Sequence, residues 1–247
     1  VVAIASNDEN ICIHLSGTNS WQSPMNHSIG GLFADGTLSD MDADGQADWI
    51  YVNTTGDLGV NIFSGGSFTS AVTTSVSSGS GMPQVTLSSL AIGSFYGSGK
   101  TIAVSEPGAT SNYNTFYNYS SSQLVLSDDN IECMGGTMQV FDFNQDGSDD
   151  LLGPTSSGGC SATYDGTQWV TQDLNGVISN NFSMSDYDRS GSISLLLAIA
   201  GVPDNNDATF TGQLDVFGFN STGSLGAQQD TLRPHTSPRD IVVADLD

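Results

Sequence analysis

Short apolar runs recur along the chain, separated by stretches rich in Gly, Ser, Thr, Asn and Asp. Trp49-Ile50-Tyr51-Val52, Ile102-Ala103-Val104, Leu151-Leu152, Leu195-Leu196-Leu197 and Ile241-Val242-Val243-Ala244 are the clearest. Each is too short for an amphipathic helix and is bounded by turn formers, so each predicts a β-strand. Val1-Val2-Ala3-Ile4-Ala5 has the same character. The chain is therefore expected to open on a strand rather than on a leader, a start that looks like the middle of a fold.

An acidic segment precedes several of these strands, and it repeats. Asp40-Met41-Asp42-Ala43-Asp44-Gly45-Gln46-Ala47-Asp48 runs into Trp49, and Asp142-Phe143-Asn144-Gln145-Asp146-Gly147-Ser148-Asp149-Asp150 runs into Leu151. Both read D-x-[DN]-x-D-G-x-x-D. A weaker copy begins at Asp186 and runs through Asp188, Ser190, Ser192 and Ser194. Ser94 to Gly99 keeps only the turn glycines, and Asp245-Leu246-Asp247 looks like the start of another copy. The starts at 40, 94, 142, 186 and 245 are 54, 48, 44 and 59 residues apart.

The segments downstream match as well. Gly65-Gly66-Ser67-Phe68 and Gly166-Thr167-Gln168-Trp169 each place a Gly-containing turn before an aromatic, as does Gly17-Thr18-Asn19-Ser20-Trp21. Cys12 and Trp21 have the same spacing as Cys160 and Trp169. The expected repeats are 1–27 (partial), 28–87, 88–137, 138–180, 181–238 and 239–247 (partial), all within a single domain 1–247. Each holds three or four short antiparallel strands that must stack on neighbouring repeats to bury both faces. The fold class predicted is all-β, and blade-sized repeats favour a propeller over a solenoid.

Three side-chain oxygens at alternate positions, a glycine for the sharp turn and a further oxygen at position nine suit a hard cation such as Ca²⁺. The expected ligands are Asp40, Asp42, Asp44, the Gln46 carbonyl and Asp48, then Asp142, Asn144, Asp146, the Ser148 carbonyl and Asp150. Asp186, Asp188, Ser190, Ser192, Ser194, Asp245 and Asp247 form the decayed or incomplete sets. An EF-hand needs Glu at position twelve, where this chain has Tyr51, Gly153 or Leu197. The alternative without metal is a set of Asp-rich hairpin turns.

The D-x-D-x-D-G-x-x-D loops followed by apolar strands resemble the FG-GAP or VCBS repeats of integrin α-subunit propellers and many secreted bacterial proteins. The resemblance implies a calcium-binding β-propeller, an extracellular or cell-surface location, and further blades, because such propellers typically carry six to eight. It implies an adhesion or recognition scaffold for a protein or neutral glycan, with a structural shell or a propeller-type polysaccharide lyase as alternatives.

Composition narrows the partners. The net charge is −23, with only Lys100, Arg189, Arg233 and Arg239 on the basic side. No cationic patch exists to meet nucleic acid or an anionic membrane, and no apolar run reaches membrane-spanning length. His14, His27 and His235 share no catalytic or zinc spacing, so a non-enzyme is expected. Cys12, Cys133 and Cys160 leave one thiol over if a bridge forms, with Cys133 and Cys160 the candidate pair. Tyr113, Phe116, Tyr117 and Tyr119, in a polar aromatic segment read as a loop from Pro107 to Tyr119, are candidate ligand contacts. Trp21, Trp49 and Trp169 read as packing residues more readily than as sugar platforms. Asn-x-Ser/Thr sequons at Asn26, Asn53, Asn118, Asn181 and Asn220 permit glycosylation without arguing for it.

Overall fold

A computed structural model describes residues 2–7, 10–15, 25–69, 72–76, 89–97, 99–106, 113–155, 158–174, 182–186, 194–200, 212–220 and 224–232. Every regular element among them is a strand. In chain order, β1 (Val2–Asn7), β2 (Asn10–Leu15) and β3 (Met25–Ser28) make a three-stranded sheet. β4 (Phe33–Ser39), β5 (Asp48–Asn53), β6 (Asp57–Asn61) and β9 (Val72–Ser75) make the first four-stranded sheet, with the small hairpin β7 (Phe63–Ser64) and β8 (Ser67–Phe68) inserted before its last strand. The next sheet is β10 (Ser89–Gly93), β11 (Thr101–Glu106), β12 (Tyr113–Ser120) and β13 (Gln123–Glu132). β14 (Gln139–Phe141), β15 (Asp150–Thr155), β16 (Gly158–Tyr164) and β17 (Trp169–Asp173) follow, then β18 (Phe182–Ser185), β19 (Ser194–Ala200), β20 (Gly212–Phe219) and β21 (Leu225–Leu232). Each sheet is an antiparallel meander in which sequential strands are neighbours.

The chain divides into two compact units, residues 1–92 with 100–130 and residues 93–99 with 131–247. In the first, β5 is buried along its whole length and shows how the period of two is used. Ile50 and Val52 point to one face, where they join Leu58, Val60, Leu90, Ile102, Val104 and Tyr117 in the core between the β4–β9 and β10–β13 sheets. Trp49 and Tyr51 point to the other, where they pack with Ile29 and Phe68. Their rings stack with centroids 4.7 Å apart. A strand covered on both sides needs apolar residues at consecutive positions, which is why this run lacks the usual alternation.

Tyr51 sits directly across the ladder from Gly59, and its ring lies where a Gly59 side chain would be. Asp35 in β4 ties the two sheets together by accepting hydrogen bonds from Leu90 N (3.0 Å) and Ser89 Oγ (3.0 Å). These half-buried polar links add direction to an otherwise non-directional apolar interface.

In the second unit, Phe143, Leu152, Leu174, Phe182, Met184 and Leu195 form the core between the β14–β17 and β18–β21 sheets. Phe143 stacks on Phe219 at 4.5 Å. Gln139 spans the two sheets, donating to Phe182 O (2.9 Å) and accepting from Met184 N (3.0 Å). Cys133 and Cys160 are joined by a disulfide, with Cα atoms 5.5 Å apart. It fastens the segment leading into β14 to the middle of β16. Next to it Gly153 lies against Met134, and Gly136 lies against Pro154.

Candidate metal centres

Each acidic loop connects the first two strands of its sheet, β4 to β5 and β14 to β15. The two are built by the same hydrogen bonds. The first Asp receives two backbone N–H groups, Asp40 from Asp44 N (3.1 Å) and Gly45 N (2.9 Å), Asp142 from Asp146 N (3.0 Å) and Gly147 N (2.9 Å). The third position receives one, Asp42 from Asp44 N at 3.2 Å and Asn144 from Asp146 N at 3.0 Å. The fifth receives the N–H two residues on, Gln46 N to Asp44 and Ser148 N to Asp146, both 2.8 Å.

Backbone conformation repeats too. Ala43 (φ 64°) and Gln145 (φ 62°) are left-handed at position four, and Gly45 (φ 85°) and Gly147 (φ 90°) at position six. Glycine at position six is therefore required by the turn. The result coils the chain around its own carboxylates.

Position nine closes the loop. Asp48 is fully buried and accepts Met41 N at 2.7 Å and Phe63 N at 2.9 Å. Asp150, also fully buried, accepts Phe143 N at 3.2 Å, while its Oδ1 is buried without a hydrogen-bond partner among the described residues. Burial raises the pKa of both, with the neighbouring loop carboxylates adding to the rise, and Asp150 reaches about 7.

Asp40, Asp42 and Asp48 converge, each offering an oxygen within 4.8 Å of the others. Asp44 accepts the Gln46 side-chain amide at 2.9 Å. In the second loop Asn144 donates its amide to Asp146 at 2.9 Å. All the donors are oxygens, as a hard cation requires, and the lone Asp150 Oδ1 is the kind of atom such an ion would satisfy.

Asp186 is half-buried just past β18, and Ser194 opens β19 opposite Ser185. Asp188, Ser190, Ser192, Asp245 and Asp247 lie outside the described residues, as do Trp21 and His235. The decayed copy at Ser94 is a turn with Gly97 and Gly99 at positive φ. It serves the second acidic loop instead, since Ser94 N donates to Asp149 at 2.6 Å and Asp149 N to Ser94 O at 3.3 Å. Asp149 stood at an unassigned position of the motif, and only the fold gives it this role.

The aromatic segment is a strand, not a loop, over the part that is described. Tyr113, Phe116, Tyr117 and Tyr119 belong to β12, and pairing to β11 buries Phe116 completely and Tyr117 almost so. Neither is accessible to a ligand. Tyr113 and Tyr119 are half-buried. Trp169 packs against Phe95, Tyr96 and Tyr164. Asn53 is buried, donating to Ile29 O at 2.7 Å, which removes its sequon from use.

No protein-family model matches the chain, and no curated protein is significantly similar to it in sequence. Solved structures share its fold. A protein from Lactobacillus plantarum aligns with a TM-score of 0.58 at 15% identity, over 94% of this chain and 67% of its own. A Bacillus licheniformis rhamnogalacturonan lyase aligns at 0.52 and 14% identity over 85% of this chain, and an exotype rhamnogalacturonan lyase at 0.53 and 13% over 90%. The chain spans 42% and 49% of those two lyases. The likeness to these proteins is one of all-β fold.

Proposed function

We propose that this chain is a calcium-stapled portion of an extracellular β-propeller that works as a recognition scaffold, each four-stranded sheet being one blade. The observation that carries the reading is the match between the Asp40 and Asp142 loops, which share their backbone hydrogen bonds to the first, third and fifth side chains, around oxygen donors with a buried carboxylate at position nine. Asp40, Asp42 and Asp48 would hold one ion, with Asp44 and the Gln46 carbonyl completing its shell. Asp142, Asn144, Asp146, Asp150 and the Ser148 carbonyl would hold a second. The ion would neutralise carboxylates that otherwise repel one another, so its binding free energy becomes folding free energy. The resemblance to FG-GAP and VCBS repeats supports the same assignment.

Calorimetric titration of the chelator-stripped protein with Ca²⁺ tests it. Two sites are expected, one lost in Asp48→Ala and the other in Asp150→Ala. Absence of binding heat, or binding untouched by both variants, would refute the assignment.

A second reading, a carbohydrate-active lyase, draws on the likeness to the two rhamnogalacturonan lyases. Among the described residues Lys100 is the sole Lys or Arg, and its Nζ donates to Ser39 Oγ at 2.8 Å. That leaves little charge to hold a polyanion there. Release of unsaturated oligosaccharides from rhamnogalacturonan by the purified chain would establish this reading over the first.

A further inference from the structure

A cleft of about 610 Å³ opens in the first unit between the acidic loop and the β12–β13 turn, lined by residues that include Met41, Asp42, Ile62, Tyr119, Ser121 and Ser122. Its volume falls within the roughly 300–1,000 Å³ of small-ligand sites. The lining divides in two chemically. Met41, Ile62 and the half-buried Tyr119 supply an apolar surface continuous with the core beneath. Asp42, Ser121 and Ser122, all exposed, supply a carboxylate and two hydroxyls.

The turn itself is unusual. Ser121 (φ 51°) and Ser122 (φ 59°) are both left-handed in a two-residue hairpin loop. Such turns favour Asn-Gly, because positive φ strains other side chains. Serine at both positions costs stability and places two hydroxyls at the cleft. Backbone strain of this kind is retained where a site uses it.

We propose that this cleft is a binding site for a neutral saccharide. A sugar ring offers one apolar face and a rim of hydroxyls, which match Tyr119 on one side and Asp42 with the two serines on the other. A carboxylate has lone pairs for several partners, so Asp42 can accept a sugar hydroxyl while it also serves the acidic loop. The net charge of −23 disfavours anionic ligands, which selects an uncharged sugar. The site locates the recognition role proposed above and rests on that role.

The probes are cellotetraose, xylotetraose, mannotetraose and galactotetraose, with tetragalacturonate as the charged control, titrated into the intact chain with Ca²⁺ and with chelator. At least one neutral sugar is expected to bind, and about tenfold more weakly to Tyr119→Ala, the scale of one aromatic contact. Ser121→Asn with Ser122→Gly keeps the turn and relieves its strain. That double variant is expected to melt at or above the wild-type temperature while also binding about tenfold more weakly, the scale of two hydroxyl hydrogen bonds. No binding by any neutral sugar, stronger binding of tetragalacturonate, or wild-type affinity in the double variant would each overturn the proposal. Calcium binding without sugar binding removes this site and leaves the metal centres standing. Sugar binding in a protein that takes up no calcium does the reverse.

Discussion

Asp48 and Asp150 hold the same place in two loops and differ in how one carboxylate oxygen is satisfied. Each closes its loop on the backbone N–H that follows the first Asp, but Asp48 Oδ1 is satisfied by Phe63 N at 2.9 Å, whereas Asp150 Oδ1 is buried with no partner among the described residues. The β7–β8 hairpin that begins at Phe63 is an insertion in the first four-stranded sheet, and β16 leads directly to β17 in the sheet that holds Asp150.

The Asp150 carboxyl therefore gives the stability of the metal-free protein a pH dependence of its own. Its folded pKa, raised to about 7 chiefly by burial, lies above the unfolded value. Below pH ~4 the group is protonated in both states. Between pH ~4 and ~7 the folded state holds a proton that the unfolded state has released, so stability falls as pH rises through that window. Asp48, shifted in the same direction, adds to the trend. In chelator, Asp150→Asn is expected to flatten this dependence and raise the melting temperature at pH 7 by a few degrees. In Ca²⁺ the same variant should lose at least tenfold in affinity at one site. Melting curves across pH, with and without the metal, check both halves.

His27 carries the opposite sign. It packs edge-on against Phe68 and near Trp49, and burial lowers its pKa below 6.5. Above pH ~6.5 it is neutral in both states. As pH falls below that value the unfolded chain gains a proton that the folded one resists, and stability is lost. An NMR titration of the imidazole should give a midpoint below the ordinary histidine value, and a midpoint at or above 6.5 would contradict the burial.

Gly59 has no room for a side chain. A Cβ there would fall 2.3–2.6 Å from ring carbons and the hydroxyl oxygen of Tyr51. Gly59→Ala forces the ring off its stack with Trp49 and should cost about 1–3 kcal/mol, as overpacked sites do. Chemical denaturation measures the loss. Adding Tyr51→Leu, which frees the space, should make the glycine substitution nearly neutral.

The Cys133–Cys160 bridge closes 27 residues of chain. A loop of that length corresponds to about 3.5 kcal/mol in the chain-entropy account. Cys133→Ser with Cys160→Ser should lower stability on that scale, and reduction of the wild type should do the same, read by denaturant melts under matched conditions.

The all-β class was legible because the apolar runs were short and the turn residues between them dense. The loops were legible because their side chains act within nine consecutive residues, so spacing alone exposes them. Asp35, Gln139 and Asp149 were not, because their partners lie tens of residues away and no local pattern marks them. The β12 strand misled for a different reason. Asn114 and Asn118 interrupt its aromatics, and a segment so rich in Asn reads as a turn. Pairing across β11 overrides that propensity, and Thr101 Oγ1 satisfies the Asn118 carbonyl at 2.8 Å.

The central claim is that calcium staples these loops, and thermal unfolding of the chain in excess Ca²⁺ and then in chelator, at pH 7, tests it most directly. Two occupied sites at a hundredfold excess over their dissociation constants add about 5 kcal/mol, at about 2.7 per site. That corresponds to a rise of roughly 10–20 °C for a chain of this size. The rise should shrink by about half when either Asp48 or Asp150 is replaced by alanine. Identical melting with and without the metal would mean that the acidic loops are turns held by their own hydrogen bonds, and the calcium account would be wrong.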